Sequence, residues 1–200
     1  ADSRSVMMLP GDLDGDRDLD LVVLCEGRPA RVFFNDLLGH FTEATASDPD
    51  LRGDLGGVLQ DFNGDGRLDL LVLGGQPPAL NLFLGDGRGR FQPSPTFADS
   101  SQAAASWGPI RGLRAADFDL DGDLDVALFG SEGHLLLNDG QGRFVLQDRI
   151  WKPASGAGWL GVEVCDFNGD FVPDVLLRLA GSPEKIVFVP GKLTPPVTAL

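Results

Sequence analysis

Oxygen-bearing side chains recur at a fixed spacing in four aspartate-rich segments, and that spacing is the one a cation-binding loop needs. The segments, numbered loops 1 to 4, are Asp12–Asp20, Asp61–Asp69, Asp117–Asp125 and Asp166–Asp174. Each has an oxygen-bearing side chain at positions 1, 3, 5 and 9, so several carboxylates converge on one point. Two like charges about 4 Å apart repel by about 4 kcal/mol at an effective dielectric constant near 20. A bound cation would relieve this repulsion, and hard oxygen ligands in a flexible loop favour calcium over zinc or magnesium.

The residues after each loop separate it from the helix–loop–helix calcium motif. That motif needs a carboxylate at position 12 and a helix after the loop. Position 12 is apolar in all four loops, where it is Val23, Val72, Leu128 or Leu177. A short apolar run follows each position 9, such as Leu21–Leu24 and Leu70–Leu73, which is typical of a buried strand. Each loop is therefore predicted to connect two strands.

We predict five ligands per loop and up to four bound calcium ions. Positions 1, 3, 5 and 9 would supply side-chain oxygens, and position 7 would supply its main-chain carbonyl by analogy with other calcium loops. The predicted ligands of loops 1 and 2 are Asp12, Asp14, Asp16, Asp18, Asp20, Asp61, Asn63, Asp65, Arg67 and Asp69. Those of loops 3 and 4 are Asp117, Asp119, Asp121, Asp123, Asp125, Asp166, Asn168, Asp170, Val172 and Asp174. The position 5 aspartates are expected to be indispensable, because every copy keeps that charge in the middle of the loop.

The elements that position these loops repeat with a period near 50 residues. The loops start at residues 12, 61, 117 and 166, which are separated by 49, 56 and 49 residues. In each unit one apolar strand leads into the loop, a second leaves it and a third follows. In the first three units a glycine-rich turn comes next, at Asn35–Phe41, Gly85–Phe91 and Asn138–Phe144, and ends on an aromatic residue that begins a fourth strand. Four strands in such a period indicate an all-β propeller of four-stranded antiparallel blades, with blades at about residues 4–50, 51–104, 105–152 and 153–200 of a single domain.

Composition excludes several partners. The chain has 200 residues, 42% hydrophobic, a net charge of −14 and 25 aspartates against 5 glutamates. Four calcium ions would bring +8 and leave −6, so the acidity fits ligand geometry. An acidic chain is a poor candidate for binding nucleic acid, and no apolar run is long enough for membrane insertion.

At this point the chain resembles the FG-GAP or VCBS type of calcium-binding propeller repeat. The matching residues are the loop pattern Asp-x-Asp/Asn-x-Asp-x-x-Leu-Asp and the downstream turn Asn-Asp-Gly-x-Gly-x-Phe, complete in Asn138–Phe144. Such repeats occur in integrin α-subunit heads and in many bacterial secreted proteins, so the resemblance implies an extracellular, cell-surface or periplasmic module. The family commonly closes with about seven blades, so four blades form either a compact ring or part of a larger propeller.

The sequence predicts binding over catalysis. His40 is expected to be a turn residue, His134 precedes a strand, and neither belongs to a catalytic constellation. We therefore expect a non-catalytic binding or adhesion module for a protein or carbohydrate ligand. The alternative is a structural subunit that assembles with copies of itself through its terminal blades when calcium is bound. The propeller of a polysaccharide-degrading enzyme is a third reading, although the chain has no tyrosine and three lysines.

Three further features carry expectations. Cys25 and Cys165 are expected to be buried free thiols. The segment Arg52–Asp54 spells Arg-Gly-Asp, the tripeptide that integrins recognise, in the connection between the first two units. Tryptophan is a usual filler between blades, which is the role expected of Trp107, Trp151 and Trp159.

Overall fold

The computed structural model describes residues 4–44, 50–74, 79–97, 110, 112–130, 132–151, 159–179 and 185–191, with the backbone alone for residues 148–151, 159 and 185. Within those ranges the chain forms β-strands and no helix. Blade 1 contains β1 (Ser5–Gly11), β2 (Asp20–Cys25), β3 (Arg28–Asn35) and β4 (Phe41–Glu43). Blade 2 contains β5 (Gly56–Gln60), β6 (Asp69–Gly74), β7 (Ala79–Gly85) and β8 (Phe91–Pro93). Blade 3 contains β9 (Gly112–Ala116), β10 (Asp125–Phe129), β11 (Gly133–Asn138) and β12 (Phe144–Trp151), and blade 4 contains β13 (Trp159–Cys165), β14 (Asp174–Leu179) and β15 (Lys185–Val189).

Each blade is an antiparallel sheet whose strands follow chain order. The aspartate-rich loop joins the first strand to the second, and the second strand begins at loop position 9. That residue pairs with the last residue of the first strand, as in Gly11 with Asp20 and Gln60 with Asp69. The predicted all-β propeller of four blades is confirmed. Blade 4 has three strands among the described residues, and residues 192–200, which would follow β15, lie outside them.

Among the described residues, the hydrophobic core is divided into three clusters, each between consecutive blades. Side chains alternate between the two faces of a strand, and the central blades bury both faces, so all six residues of β6 and all five of β10 are buried. The first strands of neighbouring blades also lie side by side, in the order β1, β5, β9, β13. Burying a leucine or phenylalanine side chain contributes about 1.5–3 kcal/mol, so these clusters are the main stabilising contacts of the fold. They contain Leu24, Val32 and Leu70 between blades 1 and 2, Leu73, Leu82 and Leu128 between blades 2 and 3, and Ala127, Val162 and Leu177 between blades 3 and 4.

The Arg-Gly-Asp segment has a structural role in this architecture. Arg52 donates to the carbonyl oxygen of Gly27 at 3.1 Å, and the Asp54 carboxylate accepts from the Gly27 amide at 2.8 Å. Gly53 is buried between them, and a Cβ there would lie 2.8 Å from the Leu24 side chain. The Arg52 and Asp54 side chains therefore attach the connection between blades 1 and 2 to the turn that joins β2 to β3.

Both cysteines are free, as expected, but only Cys25 is buried, while Cys165 is exposed. Cys165 ends β13, at the edge of the last blade, where no further blade covers it among the described residues. Trp107 and the side chains of Trp151 and Trp159 lie outside the described residues, so the expectation for them stays a prediction. Over the part of the chain that is described, no helix has the length and apolar character needed to cross a membrane.

Candidate metal centres

The carboxylate at loop position 1 organises the backbone of each loop. In loop 1, Asp12 accepts hydrogen bonds from the amides of Gly15 at 2.7 Å and Arg17 at 3.1 Å. In loop 2, Asp61 accepts equivalent bonds from Gly64 and Gly66, both at 2.8 Å. The chain wraps around this carboxylate by adopting positive φ angles at positions 4 and 6, a conformation that glycine adopts most easily. These φ angles are 83° and 77° at Gly15 and Arg17, 71° and 80° at Gly64 and Gly66, 63° and 99° at Leu120 and Gly122, and 81° and 68° at Gly169 and Phe171.

The carboxylate at position 9 is buried and ties the loop to the third strand. Asp125 is fully buried, and its two oxygens accept hydrogen bonds from the amides of Phe118 at 2.8 Å and Asn138 at 2.9 Å. In every blade the position 9 carboxylate accepts the same pair of hydrogen bonds. One donor is the backbone amide at position 2 of the loop, and the other is the amide of a residue at or just beyond the end of the third strand. The donors are Leu13 and Asn35 to Asp20, Phe62 and Gly85 to Asp69, and Phe167 and Gly191 to Asp174.

Positions 1, 3 and 9 come together in loops 1 and 3. One oxygen each from Asp117, Asp119 and Asp125 lies within 4.8 Å of one from each of the others, and Asp12, Asp14 and Asp20 form the same arrangement. Three convergent carboxylates form a hard, anionic donor set, which fits a divalent cation such as calcium. These two groups could each hold a metal ion.

At position 3, loops 2 and 4 have an asparagine where loops 1 and 3 have an aspartate. Asn63 donates from Nδ2 to Asp65 at 3.3 Å, and Asn168 donates to Asp170 at 3.0 Å. The amide hydrogen thus offsets part of the negative charge that a cation would otherwise balance. Since the amide also carries a carbonyl oxygen, a rotation of the side chain could present that oxygen to an ion.

The position 5 carboxylates hold the second half of each loop. One oxygen of Asp16, Asp65, Asp121 and Asp170 accepts from the amide at position 7, at 3.0, 2.9, 2.9 and 2.9 Å. Their role as ligands stays a prediction, as does the use of the position 7 carbonyl. The side chain at position 7 of loop 1 has its own contact, because the Asp18 carboxylate accepts from the Leu37 amide at 2.8 Å.

The raised pKa values of the loop carboxylates reflect burial first and neighbouring negative charge second. Burial raises the pKa of Asp125 to about 6, despite two amide hydrogen bonds that lower it, and the charges of Asp119 and Asp121 raise it further. Desolvation also raises the pKa of Asp119, with the nearby charge of Asp121 as the next cause. Burial likewise raises the pKa of Asp69. A cation would favour the ionised form of each carboxylate.

Sequence reasoning missed the role of a second set of aspartates, in the glycine turns. Asp86 accepts from the amides of Arg88 at 2.8 Å and Arg90 at 3.1 Å, which closes the hairpin between the third and fourth strands. Asp139 and Asp36 make the same contacts in blades 3 and 1. His40 lies in the blade 1 turn, as expected, with Nδ1 3.0 Å from Asp36. In blades 2 and 3 the signal was available, because aspartate before glycine is typical of such turns, whereas Asp36 is followed by leucine.

Comparisons with known proteins agree with this architecture. The sequence model of the FG-GAP-like repeat matches three overlapping stretches, residues 12–72, 61–128 and 117–177. No curated protein matches the sequence. Among solved structures, the chain is similar to β-fructofuranosidase from Schwanniomyces occidentalis complexed with fructosyl-erythritol, with a TM-score of 0.53 and 13% sequence identity. The match covers 98% of this chain and 47% of that one, so this chain spans about half its length. At that identity the likeness concerns the fold alone.

Proposed function

Because the chain belongs to the FG-GAP-like repeat family, and because two of its loops gather three carboxylates each, we propose that it is a calcium-binding β-propeller. Each aspartate-rich loop would hold one ion through its oxygens at positions 1, 3, 5 and 9 and the main-chain carbonyl at position 7. The observation that carries the proposal is the convergence of Asp117, Asp119 and Asp125 on one point. Such a group is electrostatically unfavourable until a cation occupies it.

Calcium would act on the propeller by fixing the connection between the first two strands of each blade. Extracellular calcium modules bind with dissociation constants of about 0.1–1 mM, so millimolar calcium outside a cell keeps such sites loaded. At ten times the dissociation constant, each ion stabilises the folded state by about 1.4 kcal/mol. Loading several loops would therefore contribute an amount comparable with a substantial part of a domain's total stability.

We extend the proposal to a non-catalytic binding module that works outside the cell and takes a protein or carbohydrate ligand. The loops expose apolar side chains beside the charged groups: Leu19 in loop 1 is 61% exposed and Leu120 in loop 3 is 42% exposed. Loops held by a rigid scaffold are where binding residues concentrate. The likeness to a β-fructofuranosidase supports a shared fold and carries no activity to this chain.

The test is a calcium titration of matched variants by calorimetry. Asp121→Asn removes one predicted ligand charge from loop 3, and we expect it to remove one binding site or to weaken it about tenfold, a difference of about 1.4 kcal/mol. Asp86→Asn is the control, because it also removes one negative charge, lies outside the loops and keeps an oxygen that accepts the turn amides. Equal calcium binding by wild type and both variants would contradict the assignment of Asp121. The absence of calcium binding by the wild type would contradict the function itself.

A further inference from the structure

In loops 1 and 2 the side chain at position 7 lies between the aspartate-rich loop and the glycine turn of its own blade. In loop 1 the Asp18 carboxylate accepts from the Leu37 amide at 2.8 Å through Oδ2. In loop 2 the Arg67 side chain lies against Gly87, because a Cβ on that glycine would be 3.1 Å from Arg67 Cδ. This region, which we call the loop–turn space, thus holds an acidic side chain in loop 1 and a basic one in loop 2.

Loop 2 places a positive charge in the loop–turn space. Arg67 Nη1 lies 3.7 Å from Oδ2 of Asp65, the position 5 carboxylate. Oδ1 of the same carboxylate accepts from the backbone amide of Arg67 at 2.9 Å. The guanidinium therefore balances part of the charge of the position 5 carboxylate, without any bound ion.

Loop 1 has the same backbone contact but places a second carboxylate in that space. Asp16 accepts from the backbone amide of Asp18 at 3.0 Å, as Asp65 does from Arg67. Asp18 is only 5% exposed, and its Oδ1 is buried with no hydrogen-bond partner among the described residues. A buried charged oxygen is normally paired, hydrogen-bonded or bound to a metal ion. Loop 1 therefore lacks the positive partner that Arg67 supplies in loop 2.

The surroundings of Asp18 add negative charge. Desolvation raises the pKa of Asp18, the hydrogen bond from Leu37 opposes this rise, and the charge of the Asp16 carboxylate raises the pKa further. Arg17 is the basic residue of loop 1, but it is exposed and forms no ion pair within the described ranges. Asp16 and Asp18 thus present neighbouring carboxylates with no cationic group of the described chain between them.

The formal charges of the two loops differ by the charge of one divalent ion. Loop 1 contains five aspartates and one arginine, which give −4, and loop 2 contains three aspartates and one arginine, which give −2. One divalent cation would neutralise loop 2 and leave loop 1 at −2. A second divalent cation would bring loop 1 to the same neutral state.

We propose that loop 1 holds a second divalent cation between the carboxylates of Asp16 and Asp18, in the place that the Arg67 guanidinium takes in loop 2. The proposal rests on the proposed function, because the first ion of loop 1 is the one assigned there. Asp16 is exposed, so water can complete the coordination of the second ion. Two carboxylates and water form a hard oxygen donor set, which suits calcium or magnesium.

The other two loops differ at this place. Loop 3 also has aspartates at positions 5 and 7, and Asp121 accepts from the backbone amide of Asp123 at 2.9 Å. Asp123 is half-buried, however, so solvent reaches its side chain. In loop 4 position 7 is Val172, a buried apolar residue. The structure therefore assigns the second ion to loop 1.

The experiment counts the ions bound by the whole chain in calorimetric titrations with calcium and, separately, with magnesium. Asp18→Asn removes one charge, keeps an oxygen that can accept from the Leu37 amide, and keeps the main-chain carbonyl predicted to bind the first ion. We expect this variant to bind one ion fewer than wild type, or to bind that ion at least tenfold more weakly. The metal whose titration shows the loss is the one that the site takes. Asp86→Asn is the control, and its ion count should equal that of wild type.

Urea denaturation separates loss of an ion from loss of structure. In chelator we expect the unfolding midpoint of Asp18→Asn to equal or exceed that of wild type, because the repulsion from Asp16 is removed. With the metal present, the midpoint of the variant should fall below that of wild type. A midpoint that is lower by the same amount in both conditions would assign Asp18 a purely structural role and overturn the inference.

The failure of this inference and the failure of the proposed function give different results. Equal ion counts for wild type and Asp18→Asn in both titrations, with calcium bound by both, overturn the second ion and leave the proposed function intact. A wild type that binds neither metal contradicts both. Should Asp18→Asn not fold, Arg67→Asp tests the same idea at an exposed residue of loop 2. A gain of one ion by Arg67→Asp supports the inference, and an unchanged count overturns it.

Discussion

At the scale of single residues, the aspartate at position 9 serves the fold independently of any cation. Asp69 is fully buried, and its oxygens accept from the amides of Phe62 at 3.1 Å and Gly85 at 2.9 Å. The sequence indicated this residue as a ligand because of its place in the nonapeptide. It could not indicate the second role, because one of the partners lies 16 residues away, at the end of β7. Only the pairing of β6 with β7 brings that amide to the carboxylate.

Replacing this carboxylate should destabilise the protein even without calcium. Asp69→Ala leaves two buried amides without an acceptor, and each such group costs about 1–3 kcal/mol. We expect the free energy of unfolding, measured by urea denaturation in chelator, to fall by about 2–6 kcal/mol. Asp65→Ala removes an exposed carboxylate from the same loop and is the control, with a loss of about 1 kcal/mol or less. Equal losses for both variants would contradict the anchoring role.

At the scale of elements, the four loops fall into two kinds. Loops 1 and 3 have aspartate at position 3 and gather three carboxylates, whereas loops 2 and 4 have asparagine, whose amide bonds to the position 5 carboxylate. The sequence predicted the loops, the strands beside them and the glycine turns, because alternation and turn residues are local signals. It could not predict how the asparagine amide is oriented, since that depends on hydrogen bonds that form only when the loop closes.

Converting one kind of loop into the other tests this difference. Asn63→Asp replaces the amide donor beside Asp65 with a second negative charge. In chelator we expect the free energy of unfolding to fall by about 1 kcal/mol, because a hydrogen bond to a charged group is lost and a repulsion is added. In millimolar calcium the loss should disappear, because loop 2 then resembles loop 1.

The control for that experiment is Asn81→Asp, which adds the same charge at an exposed position of β7, outside the loops. Its unfolding should respond to calcium as wild type does. An Asn63→Asp variant whose loss is the same in calcium and in chelator would contradict a cation site in loop 2.

At the scale of the whole molecule, burial falls from the centre of the array towards its ends. Every residue of β6 and β10 is buried, whereas β2 of blade 1 and β14 of blade 4 include half-buried or exposed residues. The repeat period predicted the propeller and its four blades. It could not predict the difference in burial between Phe62 and Phe167, which occupy the same position in their repeats. Phe62 is 1% exposed and packs against Phe144 of blade 3, whereas Phe167 is 48% exposed and contacts Phe188 of its own blade.

The central claim is that the aspartate-rich loops bind calcium, and thermal unfolding of the whole chain in millimolar calcium and in chelator tests it most directly. Four loaded loops at about 1.4 kcal/mol each would add about 6 kcal/mol of stability. We therefore predict a rise in unfolding temperature of at least about 10 °C, since 1 kcal/mol shifts a domain of this size by about 2–4 °C. Magnesium at the same concentration should give a smaller rise, because it requires tighter octahedral geometry. An unfolding temperature that is the same in calcium and in chelator would contradict the account.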